Sequence, residues 1–393
     1  MKKNLLPLFL FVSVLISNAQ NTWTQKTNFP GVARHAAVNF VIGNKAYVGT
    51  GTDDVLFYKN FWEWDQATDT WTAKAQLPGQ ARREAVAFSI GTDGFVGMGC
   101  CGALSDFWKY NSLTDTWSAI APFPQPTMTG IAFAINGKGY VGLGDDGSPS
   151  FSKKIYEYDP IADTWTQKGN FPGAGRTDAL GFAMNGKGYV AIGDDGTLPM
   201  LNDFWEYEPT TDTWTQKANF GGGARTTGAG FAIASIGKAY IGTGDDDSGM
   251  FSDFWEWNSV TDTWVQVANF GGGIRTDETG FAIGSKGYVA LGQLGAPPEF
   301  NDLWEYAPLV GINEINTANS ILLFPNPSNG IFAVTSQEEI TALEIYNVLG
   351  EKVYKSEMQD VKYEINLSAQ AKGIYFVKVM SGENVSTQKI IIE

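Results

Sequence analysis

Arginine is scarce in this chain, and its placement offers the first candidate chemistry. The six arginines are Arg34, Arg82, Arg83, Arg176, Arg225 and Arg275. A guanidinium group is a planar fork that binds two acceptors, so each arginine could pair with a nearby carboxylate or cap backbone carbonyl groups. The same fork could instead bind an anion or a sugar acid in an open site. The residue types alone leave both interpretations open.

Two glutamates near the arginines are candidates for proton transfer. Glu84 follows Arg83 directly, and Glu278 lies three residues after Arg275. A carboxyl group in a pocket can act as a general acid or base toward a bound substrate. Acidic side chains are also common on protein surfaces, where they have no such role.

Runs of aspartate form a second acidic feature. They are Asp53–Asp54, Asp145–Asp146, Asp194–Asp195 and Asp245–Asp247. Calcium binds several oxygen ligands, but these runs lack the spaced ligands and bidentate glutamate of a dedicated calcium loop. Aspartate and glycine also form tight turns, which is the simpler interpretation. The sequence therefore predicts no metal site.

The histidine and cysteine counts exclude several kinds of site. His35 is the only histidine, so a copper site with two imidazoles cannot form, and no nucleophile elbow accompanies His35 for Ser–His–Asp catalysis. No glycine-rich loop opens a helix to bind phosphate, and no cofactor is expected. The only cysteines, Cys100 and Cys101, are adjacent. They could form a strained vicinal disulfide or serve as two small loop residues.

The positions of these residues repeat along the chain, which indicates a repeat architecture. One marker is the tryptophan of the phrase "DTW" or "NTW", at Trp23, Trp71, Trp117, Trp165, Trp214 and Trp264. A second is an aromatic residue before a glycine-rich turn, at Tyr47, Phe95, Tyr140, Tyr189, Tyr240 and Tyr288. Both markers give six copies of the repeat. Successive tryptophans of the first marker are 46–50 residues apart. Four strand-like segments per copy predict an all-β, six-bladed propeller.

The phrases "GKAYIGTG", "DFWEW" and "TDTW" resemble the kelch repeat over roughly residues 21–308, and we assign the propeller to residues 20–308. The resemblance implies that ligands bind on the loop face around the central channel, where the arginines and aspartate runs should meet. The last copy lacks a fourth strand, and the N-terminal "WTQK" segment has no blade of its own. We therefore predict that this segment closes the ring beside Trp304. All thirteen tryptophans occupy repeated positions, so we expect them to pack in and between blades.

The first nineteen residues have the features of a signal peptide. Lys2 and Lys3 precede an apolar segment, residues 5–17, and a small-residue cleavage site ends at Ala19. The apolar segment is too short to span a bilayer, and no transmembrane segment is expected. The net charge of −15 argues against a nucleic-acid partner. We expect an exported, monomeric protein.

A different segment begins after Pro308. Residues 309–320 are interpreted as a linker, and residues 321–393 alternate like the strands of a small immunoglobulin-like β-sandwich. Five short strands are predicted there, with the sequences "GIFAVTS", "ALEIYNVLG", "KVYKSE", "YEINLS" and "GIYFVKVMS". The phrases "FPNPSNGIF", "IYNVLGEKVY", "INLSAQAKGIYFVKV" and "TQKIII" resemble the type A C-terminal sorting domain of the type IX secretion system. The resemblance implies a Bacteroidota-type cell, recognition of residues 321–393 by the secretion machinery, and delivery to the outer cell surface or the medium.

Two functional hypotheses follow. The first is a non-catalytic module that binds an extracellular glycan or protein through the channel-mouth arginines. The second is a carbohydrate-acting enzyme that resembles the sialic-acid mutarotases, with Glu84 or Glu278 as the proton-transfer group. We favour the first, because a fold alone does not specify an activity.

Overall fold

The computed structural model describes residues 21–100, 102–246, 248–295, 297–308, 321–381 and 384–393, without the side chains of residues 337, 338, 358 and 384. These residues form two compact units, which separate within the segment 309–320. The predicted signal peptide, linker and Cys101 lie outside the described residues. Apart from one 3₁₀ turn, Ala234–Ile236, the described regular structure consists of β-strands, which confirms the all-β prediction. Within these residues, no helix has the length and apolar character needed to span a bilayer.

The strands of the first unit group into six blades. Blade 1 contains β2 (Val38–Ile42), β3 (Lys45–Gly49), β4 (Phe61–Asp65) and β5 (Thr70–Lys74), and blade 2 contains β6 (Val86–Ile90), β7 (Asp93–Gly97), β8 (Phe107–Asn111) and β9 (Thr116–Ile120). Blade 3 contains β10 (Ile131–Ile135), β11 (Lys138–Gly142), β12 (Ile155–Asp159) and β13 (Thr164–Gln167), and blade 4 contains β14 (Leu180–Met184), β15 (Lys187–Gly193), β16 (Leu201–Glu208) and β17 (Thr213–Lys217). Blade 5 contains β18 (Ala229–Ile233), β19 (Lys238–Gly242), β20 (Phe254–Asn258) and β21 (Thr263–Val267), and blade 6 contains β22 (Thr279–Ile283), β23 (Lys286–Ala290), β24 (Leu303–Ala307) and the N-terminal strand β1 (Thr22–Gln25).

Each blade is a four-stranded antiparallel sheet, and in blades 1 to 5 the strands follow the chain order from the central channel outward. The first strand is short and apolar with small residues, as in "AGFAI" of β18, so neighbouring blades can approach closely at the axis. In the second strand every residue after the first is buried, as in "KAYIG" of β19. The six-bladed propeller predicted from the repeat is confirmed.

Blade 6 takes its fourth strand from the start of the described chain. Strand β1 pairs antiparallel with β24, with Thr22 opposite Ala307 and Gln25 opposite Trp304. The sheet order β1-β24-β23-β22 therefore joins the N-terminal strand to the last copy, as predicted. Trp23 anchors the strand, because its ring lies 4.8 Å from the Phe270 ring and its indole N–H donates to the carbonyl of Ala268.

Each of the six interfaces between neighbouring blades has its own apolar cluster. At the interface of blades 4 and 5, Phe182 and Tyr189 pack with Ala239 and Trp257. The interface of blades 6 and 1 is built in the same way, from residues such as Phe281, Tyr288 and Trp64. The ring is thus held by equivalent apolar contacts all the way round, including at the seam between first and last blades.

The second unit is a sandwich-like β-fold. Its strands are β25 (Leu322–Phe324), β26 (Ile331–Asn347), β27 (Lys352–Asn366), β28 (Gly373–Ser381) and β29 (Asn384–Ile392). The order β25-β26-β28-β29 forms one path, and β27 pairs with β26. The sequence predicted five short strands at slightly different places, but two pairs of them are continuous in β26 and β27. Register shifts after Thr335 and near Ile345 let these long strands bend around the apolar core.

Candidate functional site

Five of the six arginines are fully buried inside blades. The exposed fraction is 0% for Arg34, Arg82, Arg176, Arg225 and Arg275. Arg82 shows the pattern, with both of its Nη atoms 2.7 Å from the two carboxylate oxygens of Asp106. The partners of the other four are Asn60, Asp203, Asp253 and Asp302. Ligand binding by these arginines stays a prediction, but burial leaves none of the five guanidinium groups open to the channel.

In five of the six blades, the buried arginine also joins the segment that enters the blade to the end of the second strand. Nη1 of each donates to a backbone carbonyl 16 to 18 residues further on, at Thr50, Met98, Ile192, Thr243 and Leu291. Aromatic rings cover three of the guanidinium groups at 3.8–4.1 Å, those of Tyr58, Phe251 and Phe300. The arrangement matches the forked ion pair expected of a structural arginine.

Arg83 is the exception. Its side chain is 35% exposed, and its Nε lies 3.1 Å from Glu84 Oε1 while Nη1 lies 3.8 Å from Asp54 Oδ1. The Nε–H also donates to Cys100 Sγ at 3.3 Å. Two carboxylates already neutralise this cation, so it offers little to an anionic ligand. The vicinal disulfide stays a prediction, because Cys101 is outside the described residues.

A closed ring of backbone hydrogen bonds surrounds the channel mouth. One residue from each blade has a left-handed conformation, with φ between 51° and 59°, and its N–H donates to the carbonyl of the equivalent residue in a neighbouring blade at 2.9–3.4 Å. We call these six residues the channel ring; they are Ala36, Glu84, Thr129, Asp178, Thr227 and Asp277. The ring positions all six side chains around one opening, since all six residues line the same cavity.

Carboxyl groups occupy every second position of the channel ring. Burial, followed by the charges of Asp277 and Glu84, raises the pKa of Asp178 to about 7. Burial is also the main reason that the pKa values of Glu84 and Asp277 are raised, although Arg83 opposes the shift at Glu84 and a hydrogen bond from Gln293 opposes it at Asp277. At neutral pH the carboxyl group of Asp178 is therefore partly protonated.

Glu278 adds a fourth carboxyl group just inside the ring. Its exposed fraction is 9%, and neither side-chain oxygen has a hydrogen-bond partner among the described residues. The neighbouring hydroxyl of Thr243 donates instead to the carbonyl of Gly242. Burial raises the pKa of Glu278 to about 8, so the carboxyl is mainly protonated at neutral pH.

Two adjoining cavities make up the described channel. The cavity at the ring has a volume of about 160 Å³, and the next one has about 210 Å³. Ala37, Leu180 and Glu278 are among the residues that line both, so the two cavities are neighbouring parts of one channel. Small side chains and backbone form most of the walls, and the carboxyl groups are the main source of charge.

The structure brings together the two glutamates that the sequence singled out. Glu84 and Glu278 line the same cavity, and Asp178 and Asp277 join them there. The sequence analysis missed both aspartates, although each lies two residues after a buried arginine, as Glu84 does after Arg82. That shared offset is the signal that could have identified them.

The aspartate runs lie on the same face as the channel ring. Backbone bridges join the residue after the arginine slot to the loop after the second strand, as in Thr177 with Asp194 and Thr226 with Asp245. Within these loops the carboxylates accept backbone N–H groups two residues on, as Asp194 does from Gly196 at 2.7 Å. This is the turn geometry expected from the sequence.

Residues 322–393 match the family model described as a secretion system C-terminal sorting domain. The tail is a type IX sorting domain. It implies contact with the secretion machinery and export to the medium or the outer cell surface. The match covers the second compact unit and does not extend to the propeller.

No curated protein matches the chain. Among solved structures, one titled "Structure of YjhT" is similar over 71% of this chain and 95% of its own, with a TM-score of 0.61 and 17% sequence identity. At this identity the similarity concerns the fold alone.

Proposed function

We propose that this exported propeller is a non-catalytic module that binds an extracellular glycan at the mouth of its channel. The observation that carries the proposal is the channel ring, which presents Glu84, Asp178 and Asp277 around one opening. The proposal keeps the binding role inferred from the sequence but moves it from the arginines to the carboxyl groups. A signal peptide, kelch-type repeats and a monomeric state belong to the same proposal.

The charge of the mouth defines the class of glycan. Ionised carboxylates accept hydrogen bonds from hydroxyl or ammonium groups and repel sugar acids. A cavity of about 160 Å³ is smaller than a pocket for a drug-sized ligand, so it suits a single sugar residue at the end of a chain. We therefore expect neutral or amino sugars rather than sialic acid.

The loop face supplies apolar contacts beside the mouth. The blade 1 loop between β3 and β4 exposes Val55, Leu56 and Phe57, with exposed fractions of 82%, 59% and 43%. Sugar rings present both hydroxyl groups and apolar faces, so an apolar loop next to carboxylates suits a longer glycan. The same apolar loop could also contact a protein ligand, which is the second kind of ligand in the binding hypothesis.

A glycan array with the purified full chain tests the proposal. We expect binding to neutral or amino sugars, and about tenfold or greater loss of affinity in Asp178→Asn and Asp277→Asn, because each replaces a carboxyl oxygen that can accept a hydrogen bond with an amide NH₂ group that cannot. Asp195→Asn is the control, since Asp195 is a loop acid on the same face outside the channel ring. Selective binding of sugar acids, or unchanged affinity in both ring variants, would contradict the proposal.

One observation favours a carbohydrate-acting enzyme as a second candidate. Four carboxyl groups with raised pKa values share one cavity, and a pKa near 7 at Asp178 suits a general acid or base. Proton transfer between anomers would need one such group to protonate the sugar ring oxygen and another to accept the anomeric hydroxyl proton. Exchange spectroscopy on a bound sugar decides between the candidates, since a binding module leaves the rate of anomer exchange unchanged.

A further inference from the structure

We propose a site for a transition-metal cation of the Zn²⁺ type, formed by His35, Asp54 and Glu299 at the seam between blades 1 and 6. One ligand atom from each of these side chains lies within 4.8 Å of the other two. The separation between His35 Nε2 and Asp54 Oδ1 is 3.5 Å. Two ligands about 2.1 Å from a tetrahedral zinc lie about 3.4 Å apart, so this pair already has the required spacing.

Two polar atoms of this cluster are buried without hydrogen-bond partners among the described residues. They are Nδ1 of His35, whose exposed fraction is 2%, and Oε1 of Glu299. The Asp54 side chain is 46% exposed. A buried polar atom without a partner costs free energy, and a cation bound by Glu299 Oε1 would remove that cost at the carboxylate.

The backbone holds the three residues in place from two blades. His35 exchanges both backbone hydrogen bonds with Thr52, at 2.9 and 3.0 Å, and Asp54 follows two residues later in the same loop. Glu299 is fixed by a bridge to Gln293 in the loop before β24. The site therefore joins the first and last copies at the place where the ring closes.

All three residues of the proposed site depart from the repeat. The position of His35 is threonine in blades 4, 5 and 6, where Thr177, Thr226 and Thr276 form the same bridge. The position of Asp54 is glycine in blades 3, 4 and 6, at Gly147, Gly196 and Gly295, all with positive φ. The position of Glu299 is apolar in blades 1 and 5, at Phe57 and Met250.

Asp54 keeps a φ of 64° where these other copies use glycine, so the loop accepts backbone strain at this position. Each of the three departures introduces a metal-binding side chain, and all three meet at one point. Nitrogen from imidazole together with carboxylate oxygen favours zinc and its neighbours over calcium or magnesium. Arg83, 3.8 Å from Asp54, competes for the same carboxylate, so we expect moderate affinity.

The test is a calorimetric titration of the EDTA-treated full chain with Zn²⁺ alone. We expect one ion per chain and a rise in Tm on binding. With Co²⁺ instead, visible absorption should report imidazole and carboxylate ligation. Preference for Ca²⁺ over Zn²⁺ would overturn the assignment of the donor set.

The other copies supply matched variants that fit the fold. They are His35→Thr, Asp54→Gly and Glu299→Met, each of which installs a residue found at that position in another blade. Each should weaken Zn²⁺ binding about 100-fold or more. Asp54→Gly should also leave the metal-free Tm unchanged or higher, because it removes the positive-φ strain. Zn²⁺ binding that persists unchanged in the triple variant, or its absence from the wild type, would overturn the proposal.

Discussion

Glu278 has the least favourable electrostatic environment among the described acids of the channel. It is buried, its oxygens are unpartnered, and Asp277 lies next to it in the chain. An ionised carboxylate is strongly disfavoured there, so the folded protein holds a proton that the unfolded chain releases near pH 4.5. Protonation of one side chain thus couples the channel to pH.

We predict that Glu278→Gln flattens the pH dependence of stability. The pKa of Glu278 is about 8 in the folded protein and ordinarily about 4.5, so the stabilisation by the bound proton is fully present below about pH 4.5 and is lost as pH rises through 8. Glutamine is neutral throughout, so the variant should gain stability relative to wild type at pH 8, on the order of a few kcal/mol. Thermal unfolding followed by circular dichroism at pH 5 and pH 8 measures the difference.

Glu208→Gln is the control for this prediction. The carboxyl group of Glu208 has a lowered pKa, mainly because of hydrogen bonds from Thr210, so it does not titrate between pH 5 and 8. Its variant should shift both Tm values equally. A Glu278→Gln protein with the same slope as wild type would show that the carboxylate is ionised in the folded state.

The repeated position of the arginines could be predicted from the sequence, but their structural role could be predicted only in part. Repetition identified the slot, and the forked ion pair was one of two interpretations. The two aspartates that line the channel were harder to predict, since Asp178 has a left-handed conformation and lines the cavity at the channel mouth. No single residue type marks this left-handed conformation, because the six positions of the channel ring are occupied by Ala, Glu, Thr or Asp.

The repeated "TDTW" phrase, at the start of the outer strand of a blade, forms hydrogen bonds to the preceding blade. In blade 2 the aspartate, Asp115, accepts the backbone N–H of Ala75 from the preceding blade, and the indole of Trp117 donates to the carbonyl of the same Ala75. Asp163 and Trp165 bind Ala121 in the same way. The same two hydrogen bonds form in blades 1 and 5, whereas in blade 4 Asp212 accepts from Gly169 but the indole N–H of Trp214 has no partner among the described residues.

We predict that Gly287→Ala lowers the Tm of the propeller. Gly287 lies in β23, and a methyl group there would overlap the ring of Phe231 from blade 5. Both residues are held by inter-blade packing, so we expect a loss of about 1–3 kcal/mol in the free energy of unfolding. Differential scanning calorimetry measures the change.

Gly249→Ala is the matched control, because a methyl group at Gly249 meets no atom within 4 Å. Ala46 and Ala239 occupy the corresponding position in blades 1 and 5. An alanine therefore fits this position where the aromatic ring of the neighbouring blade lies further away. Equal Tm values for Gly287→Ala and wild type would mean that Phe231 moves freely into that arrangement.

Strand placement in the propeller was predictable, since four segments per copy alternated in a pattern typical of strands. The tail was less predictable at this scale. Its five expected segments include two pairs that continue through a bend, near Thr335 in β26 and opposite it in β27. Pairing with β27 along both halves of β26 keeps the strand continuous.

The whole propeller depends on pairing between segments nearly 280 residues apart, β1 and β24. We predict that a chain beginning at Thr27 melts about 10 °C or more below a chain beginning at Asn21. Without β1, the edge of β24 is exposed and Phe254 and Phe270 lose the ring of Trp23. Circular dichroism melting of the two chains measures the effect.

A synthetic peptide of residues 21–26 should partly restore the Tm of the shortened chain, since it can pair with β24. Similar melting of both chains would show that the ring does not depend on its N-terminal strand. The sequence allowed this closure to be predicted because two incomplete copies summed to one blade. Ligand identity could not be predicted in the same way, since it depends on which side chains meet in the channel.

The hydrogen-bonded ring at the channel mouth uses main-chain atoms alone. Its shape is therefore independent of which side chains the six residues carry, provided each tolerates a positive φ. The side chains of the channel ring can therefore be exchanged without changing the main-chain hydrogen bonds of the ring. Related chains could acquire new specificities by exchanging these residues in combination, and a library randomised at the six codons would sample binding properties without redesigning the scaffold.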